Sequence, residues 1–78
     1  MARYKKNEEA AKNVGKNIRK YRDLKGLTLV ELSYKTDIQP KSIWTYEQGK
    51  VNINITTIYT LADALEIKPH QLLMDFEE

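Results

Sequence analysis

Apolar residues recur along this chain at helical rather than strand spacing. Val14, Ile18, Tyr21 and Leu24 follow one another by four and three positions, which places them on one stripe of a first helix. Asn7 is its expected cap and Glu8 and Glu9 favour its first turn, with an end near Lys25 before Gly26. Gly15 lies inside that helix at a cost of about 1 kcal/mol in propensity, so either a close packing contact or a break between an arm and the helix proper is expected there. Leu29, Leu32 and Ser33 mark a second helix, in which Thr28 and Glu31 have capping-box spacing. It should end near Thr36, because Asp37 tolerates turn conformations and Ile38 must point inward. Gln39-Pro40 opens a third helix carrying Ile43, Tyr46 and Glu47, and Gly49 closes it. Asn54 then caps a fourth, with Ile55, Ile58, Leu61, Ala62 and Leu65 on its stripe, and Pro69 starts a short fifth with Leu72 and Leu73. The β-branched run from Ile53 to Ile58 would suit a strand, but the helical spacing continues to Leu65 and nothing else can pair with it. The expected fold class is all-α, with five helices and no sheet.

The second and third helices are short and separated by a tight corner. Residues 28–49 therefore read as a helix-turn-helix, in which the second rod is propped against the first and offered to a DNA groove. The chain divides into a basic arm and helix start at 1–13, the motif-bearing domain at 14–74 and an acidic tail at 75–78.

Composition narrows the chemistry. Seventy-eight residues make one domain with a thin core, too small to enclose a large substrate pocket as well. The chain has no cysteine, which removes disulfides, thiolate catalysis and sulfur-rich zinc sites. No stretch approaches the roughly 18 apolar residues of a membrane span, and residues 1–12 lack the apolar centre of a signal peptide, so the expected compartment is the cytoplasm. Net charge is only +2, but nine basic residues face three acidic ones up to Lys25, while five acids face one lysine from Val51 onward. Such lopsidedness suits a molecule that turns one face to phosphates, although a solvated helix face would produce it too. His70 has no metal-binding or catalytic companions, so no enzyme, metal site or cofactor is expected.

Several of these residues also form a family pattern: Ile18-Arg19, Arg22, Gly26-Leu27-Thr28, Glu31-Leu32-Ser33, Ile38, Ile43, Glu47 and Gly49, then Leu61-Ala62, Ala64-Leu65 and Leu72-Leu73. From about Val14 to Leu73 the chain resembles the phage repressor and Cro type, or Xre-like, helix-turn-helix proteins. That resemblance implies a compact five-helix lambda-repressor-like domain that binds double-stranded DNA and regulates transcription. By position it implies base contacts from Gln39, Pro40, Lys41, Ser42, Trp44 and Thr45. It also implies an ion pair between Arg22 and Glu47 that orients the third helix. Phosphate contacts are expected from Thr28, from Lys16, Arg19 and Lys20, and from Lys50 and Asn52, with Arg3, Lys5 and Lys6 as a possible minor-groove arm. Trp44 points away from the stripe of Ile43 and Tyr46 and needs cover, from a thymine methyl or deoxyribose or from the loop at residues 51–53. Three positions depart from the family: Leu29 replaces a glutamine, Asp37 a glycine and Gln39 a serine.

Specific affinity usually needs two recognition helices about 34 Å apart, so a homodimer on a palindromic operator is expected. Leu65, Ile67, Met74 and Phe76 are the candidates for its contact, though some of them must complete the core. Two other roles use the same fold. An antitoxin-like interaction module would hold a protein on Trp44, Tyr34 and Leu29. A restriction-modification controller would bind DNA and either activate or repress.

Overall fold

The computed structural model describes residues 8–77, in which five α-helices and no strand are found. They are α1 (Glu8–Leu24), α2 (Leu29–Thr36), α3 (Pro40–Glu47), α4 (Ile55–Leu65) and α5 (Pro69–Leu73). None of the described helices is long and apolar enough to cross a membrane. The expected cap at Asn7 and the arm residues Arg3, Lys5 and Lys6 lie outside the described residues.

Each helix contributes to one small core. Ile18 of α1, Leu32 of α2, Ile43 of α3, Leu61 and Leu65 of α4, and Leu72 of α5 are all fully buried. Burying a side chain of this size contributes about 1.5–3 kcal/mol, so no helix can leave without a large fraction of the stability of the whole. Val14, Tyr21, Leu27, Leu29, Ile38 and Tyr46 pack around this centre. Helix α1 packs against both α3 and α5, α2 bridges α3 and α4, and α4 meets α5.

Two ends of the expected stripes fall outside the core. Leu24 is exposed at the last turn of α1 and Ile55 at the first turn of α4. The helices continue past the surface they pack on, and periodicity carries no mark of where that surface stops. Leu65, expected as a candidate intersubunit residue, is fully enclosed within the monomer and cannot reach a second copy.

Local chemistry sets the joints. Asn54 Oδ1 accepts the Thr57 N–H at 2.8 Å to start α4, and Gln71 Oε1 accepts the Lys68 N–H at 2.9 Å at the start of α5. Glu66 ends α4 in the left-handed conformation (φ 60°), where its carboxylate pairs with Lys25 beyond the end of α1. Inside α1 the helix runs unbroken through Gly15. A Cβ there would stand 2.8 Å from the Glu47 carbonyl oxygen and closer still to that of Tyr46, so this glycine lets α1 approach the backbone at the end of α3.

Candidate nucleic-acid interface

The corner between α2 and α3 is built from side chains that satisfy its backbone. Thr28 Oγ1 accepts the Glu31 N–H at 3.0 Å while Glu31 Oε1 accepts the Thr28 N–H at 2.8 Å, a complete capping box. At the other end Asp37 takes φ 60° and ψ 19° and its N–H reaches Ser33 O at 2.8 Å. The left-handed residue that a glycine would normally supply is here an aspartate, one of the few side chains that tolerate it. Thr36 Oγ1 donates to Leu32 O at 2.9 Å and accepts the Ile38 N–H at 3.2 Å, so Ile38 is turned onto the core. Pro40 occupies the first turn of α3, and the Gln39 side chain makes no capping hydrogen bond. Its amide therefore remains available to a base edge.

Three anchors fix how α3 stands. Ile43 is buried beneath it, α1 presses on its last turn at Gly15, and Arg22 forks onto Glu47. The fork is bidentate: Nε lies 2.7 Å from Oε2 and Nη2 3.0 Å from Oε1, while Nη1 donates to Leu27 O at 2.9 Å. The hydrogen bond to Glu47 raises the Arg22 pKa above its ordinary value, against the opposing effect of burial. The guanidinium is therefore charged at any physiological pH.

With Ile43 and Glu47 inward, the opposite side of α3 faces out. Lys41 and Trp44 are exposed, Ser42 and Thr45 are half-buried, and Gln39, Lys41, Ser42 and Thr45 line one open hollow with Val51 and Asn52. Thr45 spends its hydroxyl proton on Lys41 O at 2.9 Å, which leaves its methyl and lone pairs to the outside. Trp44 is 43% exposed, and the neighbour over its ring is Lys50, with Nζ 5.1 Å from the centroid. Lys50, at the start of the loop, thus shares the ring while much of the indole stays open.

The expected phosphate-binding residues are spread over two flanks. Thr28 stands exposed at the start of α2. Lys16, Arg19 and Lys20 border a hollow that ends at Glu47 and Gln48, past the end of α3. Lys12 links this basic face to Lys50 and Asn52, with which it lines a second hollow. Sequence reasoning left Lys12 out, although its spacing of four from Lys16 and eight from Lys20 places it on the same side of the helix. A Cβ on left-handed Gly49 would fall 2.7 Å from the Lys12 Cα, so the loop after α3 lies directly on α1.

A different arrangement serves the proposed contacts between copies. Met74 is 55% exposed and Leu73 half-exposed beside it, whereas Ile67 packs on the core and Phe76 rests half-buried near α1. Of the patch suggested for a protein ligand, Tyr34 and Trp44 face out but Leu29 packs on the core. His70 is exposed, and no group of three His, Cys, Asp or Glu among the described residues could hold a metal ion.

A family model for the Cro/C1-type helix-turn-helix DNA-binding domain matches residues 17–78. The chain belongs to that family. As a Cro/C1-type domain it is a DNA-binding transcriptional regulator. Among solved structures this Cro/C1-type domain is similar to the restriction-modification controller protein C.AhdI from Aeromonas hydrophila, with 29% identity, a TM-score of 0.76, and 80% of this chain and 94% of that one covered. It is also similar in fold to the hypothetical transcription factor NHTF from Neisseria, at 24% identity and a TM-score of 0.81 over 96% of this chain and 87% of that one. The clp gene regulator ClgR from C. glutamicum shares the fold at 23% identity and a TM-score of 0.76, covering 88% of this chain and 87% of that one. No curated protein sequence matches the chain significantly.

Proposed function

We propose that this Cro/C1-type domain binds a palindromic operator as a homodimer, places α3 in the major groove, and represses transcription by blocking polymerase. The observation that carries the proposal is the anchoring of α3 from behind by Ile43, Gly15 and the Arg22–Glu47 fork, with Gln39, Lys41, Ser42 and Thr45 left outward. Lys41 suits a guanine edge, Gln39 an adenine edge, and the Thr45 methyl a thymine methyl. Trp44 works through Lys50, its ring holding the ammonium beside the phosphates that flank the groove. Lys12, Lys16, Arg19 and Lys20 meet the backbone on the other flank. Met74 and Leu73 supply the outward apolar surface for the second copy.

The test is fluorescence anisotropy with the duplex flanking the coding frame, where an inverted repeat with centres one helical turn apart is expected. Lys41→Ala should cost about 1–3 kcal/mol of affinity and relax preference at one base position if it reads a base. Equal binding of all duplexes by wild type and variant would refute sequence reading by α3. The likeness to C.AhdI, a restriction-modification controller, favours a second reading in which the same DNA binding activates some promoters. A promoter-reporter assay separates the two by the sign of the response.

A further inference from the structure

The chain from Leu72 to Phe76 is clamped onto α1 by two asparagines one turn apart. Asn17 is almost wholly buried, and its Nδ2 donates to Leu72 O at 3.0 Å and Met74 O at 2.7 Å. Asn13 Nδ2 donates to the same Met74 carbonyl at 2.7 Å, while its Oδ1 accepts the Phe76 N–H at 2.5 Å. These bonds leave a buried amide and three backbone groups satisfied, so the segment has a defined seat. Its position brings it to the basic face of α1. The Phe76 ring lies 5.7 Å from Lys16 Nζ, and Asp75 and Phe76 share a hollow with Lys12 and Lys16, which Glu9 also lines. Phe76 also borders the hollow lined by Lys12, Lys16, Arg19 and Lys20, whose acids Asp23 and Glu47 are paired with Arg19 and Arg22.

We propose that residues 75–77 act as a built-in competitor for the DNA backbone: their carboxylates neutralise the basic face of α1 in the free protein, and phosphates must displace or outbid them. The segment carries Asp75 and Glu77 and no basic residue, and Asp75 is the acid that shares a hollow with the α1 lysines. Attraction of this kind weakens as salt rises, the Debye length being about 8–10 Å at ordinary ionic strength. The cost falls on every duplex alike, because backbone contacts carry no sequence information. The device thus lowers operator and non-operator affinity by the same factor, leaves the preference set by α3 unchanged, and raises the protein concentration at which DNA of either kind is occupied. This inference rests on the reading that the α1 lysines meet phosphates.

Anisotropy of the full chain with an unrelated duplex, followed across salt concentrations, tests it. Asp75→Asn with Glu77→Gln should tighten binding roughly threefold to tenfold at low salt, with the gain fading as salt rises. Asp63→Asn, an exposed acid on α4, removes one charge as Asp75→Asn alone does; it should give less gain than that single variant and so controls for net charge. Asn13→Ala keeps the acids but loosens their seat; it should tighten binding partially, and neutralising Asp75 on that background should add less than it does alone. Tail variants that bind no tighter than Asp63→Asn would overturn the proposal. Lys16→Ala with Lys20→Ala checks the underlying reading separately. If these lysines prove indifferent to DNA, the phosphate contact itself fails, whereas weakened binding there with an unresponsive tail refutes the competitor alone.

Discussion

Gly15 offers the sharpest test of how α3 is held. Replacing a helix-interior glycine with alanine normally stabilises by about 1 kcal/mol, because the unfolded chain loses less freedom on folding. Here the added methyl would stand 2.8 Å from the Glu47 carbonyl oxygen and 3.0 Å from its carbonyl carbon, with Tyr46 O nearer still. These are backbone atoms at the end of α3, so no side-chain rotation can clear the space. Relief requires moving α1 and α3 apart, and overpacking of this kind costs about 1–3 kcal/mol or more. Because the backbone atoms leave no room to adapt, the upper part of that range applies, and Gly15→Ala should destabilise by about 1–3 kcal/mol after the propensity gain. For a domain of this size each kcal/mol lowers Tm by about 4–8 °C, so a fall of about 5–20 °C is expected. Thermal unfolding followed by circular dichroism measures it, and the same preparation can be assayed for DNA binding below its transition. Affinity should drop too, since the displaced backbone belongs to the helix proposed to enter the major groove. A Tm equal to or above that of the wild type would show that the contact between α1 and α3 is looser than described and refute the reasoning.

Other expectations follow from the remaining contacts. Glu47→Gln leaves the Arg22 guanidinium mostly buried with a neutral companion; stability should fall by up to about 3–5 kcal/mol, and denaturant unfolding that shows no change would argue against a buried fork. Trp44→Ala should reduce the log–log salt slope of DNA binding by about one as Lys50 loses its seat, while Trp44→Phe restores it; loss of preference at one base position instead would mean that the indole reads DNA directly. Lys25 holds the Glu66 carboxyl below its ordinary pKa, chiefly through their hydrogen bond. The stabilisation is therefore present above the ordinary glutamate value and disappears as pH falls through the lowered one. Carboxyl chemical shifts should show a depressed Glu66 midpoint that returns toward normal in Lys25→Ala.

Much of this architecture was legible because it is written in local chemistry. The spacing of Thr28 and Glu31, Asn54 ahead of α4, and Pro40 and Pro69 at helix starts each satisfy or remove a backbone group within a few residues, which a sequence displays directly. The joining of Arg22 to Glu47 came from family resemblance, since two charges 25 positions apart announce nothing by themselves. What stayed hidden depends on three-dimensional extent. Leu24 and Ile55 share the period of their buried neighbours but overhang the core, while Leu65 shares it and is sealed inside, so the same spacing serves both outcomes. Asn13 and Asn17 were invisible as clamps because their acceptors lie 61 and 55 positions away. Lys12 was counted among the basic residues but not among the expected phosphate contacts, because the adjacency of α1 to the loop after α3 emerges only when Gly49 is seen against it.

Within residues 13–17, α1 touches α3 through Gly15 and carries the backbone of Leu72 and Met74 through its two asparagines. In the proposed dimer this makes α1 the arm of a calliper, with the reading tip at one jaw and the join to the second copy at the other. The half-site separation that such an instrument accepts is then set by Asn13, Gly15 and Asn17, which need touch neither DNA nor the second copy. Substitutions there would be expected to retune spacing while leaving the preferred bases alone.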